Sequence, residues 1–284
     1  MNRTFSALWI GAFASEGLVG GRPGKVTGVT SKGIFTLFEK RSIFITPISE
    51  KSPHNLNLSS LFPFGEIAIS DPVSYSDQKL SFLQQSLFID VKDTAVWTPP
   101  SPPPMNISKT EQILRINRLL TDLNGSTTDE KGLLAGLLAF GDNVTRKTTF
   151  FTKEIGKNDL KACLQAGSEL IGLGEGLTPA MDDWLAGFLL ARVRSGQTAG
   201  VEQQFSSELG PALTQLAYQR TTFLSANRIE AACRGWSEGI FLELLDHLLD
   251  VDISLPDNAK DRLLGFGHSS GIATVQGIVA ACGI

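Results

Sequence analysis

Cysteine, histidine and clustered positive charge are all scarce in this chain, and each scarcity closes off a class of function. The 284 residues include three cysteines (Cys163, Cys233, Cys282) and three histidines (His54, His247, His268). The cysteines lie far apart in apolar helical contexts, with no CxxC pair, which reads as reduced, buried thiols in a cytoplasmic protein. No HExxH occurs, and three scattered histidines are too few for a His-based metal cage. The formal net charge is −4 without any Lys/Arg cluster, so the chain lacks the positive surface that a nucleic acid needs. No apolar run reaches the length of a membrane span; glycine or charge breaks the longest ones. Arg3, the apolar stretch from Phe5 to Phe13 and Ala12-Phe13-Ala14 imitate a signal peptide. Ser6 and Gly11 interrupt that stretch, which is read instead as a first strand or helix.

What remains is an ordinary globular composition, 42% hydrophobic and 19% charged, long enough for two domains. The pattern predicts an α+β protein. Residues 1–98 read as β-rich, with strands expected at Gly33 to Glu39, Ser42 to Thr46, Gly65 to Ser70, Leu87 to Val91 and Val96-Trp97. Glu39-Lys-Arg41 reads as a hairpin turn, Gly17 to Gly24 as a loop, and Ser52 to Ser60 as polar and turn-like. The proline run from residue 98 to 104 cannot continue a helix or a sheet interior, so residues 99–106 are expected to be a linker.

Residues 107–284 carry a helical period. Ser108-Lys-Thr-Glu111 is a capping box, followed by Ile113, Ile116, Leu119, Leu120 and Leu123 until Asn124-Gly125. A second helix is expected to open at Thr127-Thr-Asp-Glu130, run over Leu133 to Phe140 and close at Gly141-Asp142-Asn143. Further helices are expected at about 159–171, 178–194, 201–217, 221–235, 237–250, 257–264 and 271–282.

Two glycine loops stand out in this half. The first is Gly172-Leu-Gly-Glu-Gly-Leu-Thr-Pro179, in which Gly172, Gly174 and Gly176 alternate with other residues. Thr178 suits an N-cap and Pro179 a first helical position, so the unpaired N–H groups of a helix start would face the loop. That makes an anion site, or a structural turn between two core helices. It lacks both the Lys-Ser/Thr of a P-loop and the preceding strand of a dinucleotide fingerprint. The second loop, Gly265 to Gly271, offers His268, Ser269 and Ser270 before another small-residue helix. If the loops face each other, Gly174, Gly176, Thr178, Gly267, Ser269 and Ser270 line one site for a small anion. Gly187 and Gly277 would let the two following helices approach closely.

Asp182 and Asp183 are adjacent, so on a helix they point about 100° apart and cannot easily chelate one metal together. One suits a general base or a Mg²⁺ ligand while the other supports it or meets solvent; both also suit simple compensation of the helix dipole. His268 suits a proton donor or a cap. Arg220, Thr221, Thr222 and Ser225 begin another helix with a guanidinium and hydroxyls fit for carboxylate or phosphate, although Thr221 also suits an N-cap. No Ser-His-Asp order is present, and Cys233 lies in a helix interior.

Together these motifs (Gly172-Leu-Gly-x-Gly-Leu-Thr-Pro-x-x-Asp-Asp-x-Leu-Ala-Gly187, Thr221-Thr222-x-x-Ser225, Gly267-His-Ser-Ser-Gly271) resemble a bacterial family long filed as a domain of unknown function. That family is similar to the AllH-type subunit of oxamate carbamoyltransferase in allantoin degradation, and has also been loosely labelled carboxylases. The resemblance covers the helical half. It implies a transferase subunit exchanging carbamoyl and phosphate between oxalurate and carbamoyl phosphate, working with other protein subunits. Asp182, Asp183 and His268 would then handle protons, with no certain cofactor and Mg²⁺ as an option. Where the family has Pro, and then Ser-Gly, this chain has Glu175, Ala180 and Met181. Those changes suit a non-catalytic anion-binding or assembly subunit as the competing reading.

Overall fold

The computed structural model describes residues 2–283 apart from 19, 20, 22, 60, 125–140, 158, 200–202 and 268. The chain divides into two compact units, Met1–Pro100 and Ser101–Ile284. With strands in the first and helices dominating the second, the fold is mixed α+β, as the sequence pattern predicts.

The first unit is a β-barrel. Its strands are β1 (Arg3–Gly11), β2 (Pro23–Thr30), β3 (Gly33–Phe38), β4 (Arg41–Thr46), β5 (Asn55–Leu58), β6 (Pro72–Ser76), β7 (Lys79–Phe82), β8 (Leu87–Asp90) and β9 (Ala95–Trp97). They run in the order β5-β4-β3-β2-β6-β7-β8-β1, and the ring closes because β5 also pairs with β1. β1 makes closure possible by its length. Its first residues pair in parallel with β8, its last with β9, and its other edge runs antiparallel to β5. Inward residues such as Val26, Ile34, Ile45, Leu56, Phe82 and Ile89 fill the interior, as in other barrels of this strand number. One short helix, α1 (Ala12–Gly17), follows β1.

Two expectations fail in this unit. Residues 65–70 form no strand: a 3-10 turn spans Phe64–Glu66, Ser70 has φ +76°, and the Asp71 carboxylate accepts the Ala68 N–H at 2.7 Å. Those local bonds fold the segment into a turn. Residues 55–58, read as polar and turn-like, instead form β5, buried along its whole length. The Asn57 side-chain amide donates to the carbonyls of Thr46 and Ile48, which lets a polar side chain lie inside.

The second unit contains α2 (Lys109–Asn124), α3 (Gly141–Gly156), α4 (Leu160–Leu170), α5 (Ala180–Ala199), α6 (Gln203–Arg220), α7 (Phe223–Cys233), α8 (Gly239–Leu249), α9 (Ala259–Leu264) and α10 (Ser270–Cys282). The helix expected over 133–140 lies outside the described residues. Gly141-Asp142-Asn143, expected to close it, opens α3, where Asp142 suits the positive start of the helix. The helix expected to end near Arg194 continues to Ala199.

The unit is built around α5. From Ala180 to Ala191 it is buried on every side, the mark of a central helix rather than a surface one. Trp184 and Phe188 stack at 5.3 Å, and Phe151 of α3 packs edge-on against both. α10 lies against α5 so closely that a Cβ on Gly277 would come within 1.9 Å of the Trp184 carbonyl oxygen. A Cβ on Gly187 would come within 2.1 Å of that of Thr274.

Away from α5, Arg115 of α2 ties down the end of α8. Its guanidinium donates to the carbonyls of His247 (2.6 Å), Asp250 (3.0 Å), Val251 (2.7 Å) and Ile253 (3.0 Å). The His247 and Asp250 carbonyls lie at the helix end, where intrahelical partners run out, and those of Val251 and Ile253 follow it. Arg115→Met is expected to lower stability by about 2 kcal/mol. Urea unfolding of the full chain checks this, and a loss below about 0.5 kcal/mol would show that water replaces the clamp.

Candidate active site

The first glycine loop links α4 to α5, and its backbone requires the glycines it has. Gly172, Gly174 and Gly176 have φ of +80°, +128° and +90°. Side chains are also excluded by space: a Cβ on Gly172 would lie 2.7 Å from the Arg220 carbonyl oxygen, and one on Gly174 2.7 Å from the Ala180 nitrogen. Leu173 O accepts the Met181 N–H at 3.1 Å, folding the loop over the start of α5. The N–H groups of Gly174, Glu175, Gly176, Leu177 and Thr178 meet no acceptor among the described residues. Glu175 is exposed, whereas Ala180 and Met181 are fully packed.

Three helix starts are stitched together here. Thr178 Oγ1 lies 2.9 Å from Ser270 Oγ, joining the first loop to the start of α10. Thr222 Oγ1 donates to the Leu177 carbonyl at 2.7 Å and accepts the Ser225 N–H at 3.1 Å, joining that loop to the start of α7. The N-cap of α7 is therefore Thr222, not Thr221. Thr178, expected to cap α5, shares its hydroxyl with Ser270 instead. The starts of α5, α7 and α10 thus meet at residues 177–178.

Asp182 and Asp183 lie beneath this junction, and neither meets solvent. Asp182 accepts the Gly172 N–H at 2.7 Å with one oxygen and the Thr221 hydroxyl with the other, fastening the loop to the chain before α7. Burial raises its pKa; Thr221, Gly172, Ser225 and Arg228 pull it partly back. Asp183 accepts from Arg228 through Oδ1, while its buried Oδ2 has no hydrogen-bond partner of good geometry. Burial pushes its carboxyl up from 3.8 to about 6; Arg228 and the nearby Ser270 and Thr178 hydroxyls oppose this, and Asp182 adds to it.

The folded chain therefore holds the Asp183 proton more tightly than the unfolded chain does. Its contribution to stability is greatest at low pH and falls as pH rises from 3.8 to about 6. The stability difference between the native chain and Asp183→Asn is expected to shrink over that interval and then level off. Urea midpoints measured across the interval check this, and a difference that grows with pH would reverse the assignment.

The remaining site residues divide. Gly267 (φ +65°) sits against Ser270, and Ser269 is exposed at the N-cap of α10. Ser225 is buried, with its hydroxyl close enough to favour the Asp182 carboxylate. Arg220 is exposed and donates to the Ser168 carbonyl at 2.8 Å, so the structure gives it a backbone contact on α4. His268 lies outside the described residues. Burial pushes the Cys163, Cys233 and Cys282 thiols up to about 11, 12 and 11, which leaves no activated thiol among them. Among the described residues, no group of three or more His, Cys, Asp or Glu side chains converges as a ligand set, and no helix is long and apolar enough to cross a membrane.

Arg228, Glu238 and Thr274 escape the sequence reading. Arg228 of α7 joins Asp183, lies 3.5 Å from Glu238 and donates to Thr274 Oγ1 at 3.4 Å. The signal for Arg228 was its spacing: it follows Ser225 by three residues and shares a face of α7 with it. Nothing local announces Glu238 or Thr274.

Residues 170–282 match the model of a family described as oxamate carbamoyltransferase subunit AllH. The resemblance read from the two glycine loops and the Thr-Thr-x-x-Ser helix is borne out over that span. No solved structure gives a significant match to the chain.

Proposed function

Taking the AllH match over residues 170–282 as its premise, we propose that the chain is a subunit of a carbamoyltransferase-like enzyme acting on carbamoyl phosphate and a small carboxylate or amide. The convergence of three helix starts on residues 177–178, beside five N–H groups without an acceptor among the described residues, carries this reading. Such an arrangement binds phosphate or carboxylate oxygens without a dedicated cation, because the donors are fixed before the ligand arrives. In the reaction proposed, the amide nitrogen of oxamate attacks the carbamoyl carbon, the bond from that carbon to the phosphate oxygen breaks, and the nitrogen loses a proton.

The geometry supports the following roles. The loop N–H groups and the hydroxyls of Thr178, Ser269 and Ser270 hold the anion and meet charge developing on the leaving phosphate. Asp182, with both oxygens engaged, holds two walls together. Asp183, whose Oδ2 retains capacity, and His268 take the proton. Other subunits complete the enzyme, and a cytoplasmic location belongs to the same proposal.

The competing reading, a non-catalytic anion-binding or assembly subunit, draws on Ala180 and Met181, which place apolar packing where the family has a small hydroxyl residue and glycine. Oxamate-dependent phosphate release from carbamoyl phosphate separates the two. Turnover is expected when the chain is co-expressed with its partner subunits and lost with Asp183→Asn. Unchanged turnover in that variant would assign catalysis to the partners and leave this chain the non-catalytic role.

A further inference from the structure

Arg228 is a buried cation to which the sequence motifs assign no role, and it touches every wall of the junction except the first loop itself. On one side it pairs with Asp183 of α5, and on the other it lies 3.5 Å from Glu238, just ahead of α8. It donates to Thr274 Oγ1 at 3.4 Å, and that hydroxyl donates in turn to the Ser270 carbonyl at 2.8 Å, at the start of α10. Its guanidinium also lies 5.2 Å from the ring of Phe266 in the second loop, whose carbonyl accepts the Gly271 N–H at 2.9 Å. Asp183, Arg228 and Glu238 are each over nine-tenths buried.

A guanidinium suits this task because its planar fork addresses several acceptors in fixed directions. An ammonium would satisfy one acidic partner and abandon the others. Neither Asp183 nor Glu238 could stay buried and ionised without a cation, so the position of each depends on Arg228. Through Thr274, which donates to the Ser270 carbonyl, Arg228 also fixes the start of α10 and with it the Thr178–Ser270 hydroxyl pair.

We infer that Arg228 is the positioning residue of the composite site, holding the two glycine loops in register through Asp183, Thr274 and Phe266. It acts through these residues and touches no substrate. Its importance for binding rests on the reading of the loops as a ligand site; its effect on the loops does not, and the two are measured separately.

The test is hydrogen exchange, followed by mass spectrometry, of the full chain and of Arg228→Met, Arg228→Lys and Arg194→Met. Arg194 is an equally buried arginine of α5 that pairs with Asp246, so its variant controls for the loss of any buried ion pair. Peptides carrying the hydrogen-bonded Gly172 and Leu173 N–H groups of the first loop and the Gly265, Phe266 and Gly271 N–H groups of the second are expected to exchange at least about tenfold faster in Arg228→Met, a loss of about 1.4 kcal/mol of local protection. The rise should be smaller in Arg228→Lys and absent in Arg194→Met. Carbamoyl phosphate binding should weaken in the same order. Unchanged exchange in both loops, or an equal rise in Arg194→Met, would overturn the inference. If Arg228→Met fails to fold, Arg228→Lys decides by the same two loops. Should the native chain fail to bind carbamoyl phosphate, the proposed function falls while the exchange result still decides the role of Arg228.

Discussion

Asp183→Ala is expected to lower the stability of the helical unit by about 3–5 kcal/mol. The cost arises mainly from what is left behind. Arg228 would remain buried with Glu238 at 3.5 Å and the more distant Asp182 to compensate it, and an under-compensated buried charge is far more costly than the pair it came from. The Thr178 and Ser270 hydroxyls would lose the carboxylate near them at the same time. Asp183→Asn keeps the shape and one carbonyl oxygen for Arg228, so its loss should be smaller. Urea unfolding of the full chain, followed by far-UV circular dichroism, separates the variants. A loss below about 1 kcal/mol for Asp183→Ala would mean that water reaches Arg228 in the folded protein.

Gly277→Val is expected to be about as damaging, by a different route. A Cβ at this position would sit 1.9 Å from the Trp184 carbonyl oxygen and 2.8 Å from the Phe188 nitrogen, both backbone atoms that cannot rotate aside. α10 would have to move away from α5 along the contact that Gly187 makes with Thr274, opening a fully buried interface. A loss of about 3 kcal/mol or more is expected, with Gly277→Ala between about 1 and 3. Gly156→Ala, where nothing lies within 4 Å, is the contrast and should stay within about 0.5 kcal/mol of the native chain. Because Ser270 and Thr274 travel with α10, Gly277→Val should also weaken anion binding. Equal stability of Gly277→Ala and Gly156→Ala would show that the two helices are not in backbone contact.

The parts of this architecture legible in the sequence are those fixed by neighbours in the chain. Ser108 accepts the Glu111 N–H at 3.2 Å as the capping box predicts, and β3 and β4 pair around the turn at Glu39. The glycine loops were legible for the same reason, since alternating glycines before a Thr-Pro step have few other uses. Closure of the barrel was not, because it depends on β5 meeting β1 across some forty-five residues and on Asn57 finding the carbonyls of Thr46 and Ile48. Residues 65–70 misled because their apolar spacing suits a strand, while Asp71, one residue further on, folds them into a turn.

The site divides along the same line. The residue types at Thr178, Thr221, Thr222 and Ser270 signal hydrogen bonding, but their partners lie up to 92 positions away. Thr222 rather than Thr221 caps α7, and Thr221 serves Asp182, an exchange that no one-dimensional pattern distinguishes. The aspartate pair was legible as important but not as buried. Its surroundings come from α7 and α10, which the sequence places 40 or more residues downstream of it.

The central claim is that the two glycine loops form one ligand site, and calorimetric titration of the full chain with carbamoyl phosphate and with oxamate tests it most directly. The comparison is with Thr178→Ala/Ser270→Ala, which removes the hydroxyl pair joining the loops and leaves the buried aspartates in place. The native chain is expected to bind at least one of the two anions saturably. The double variant should bind it at least about tenfold more weakly, about 1.4 kcal/mol, with little change in unfolding midpoint. Binding of neither anion by the native chain, or equal affinity in the double variant, would contradict it.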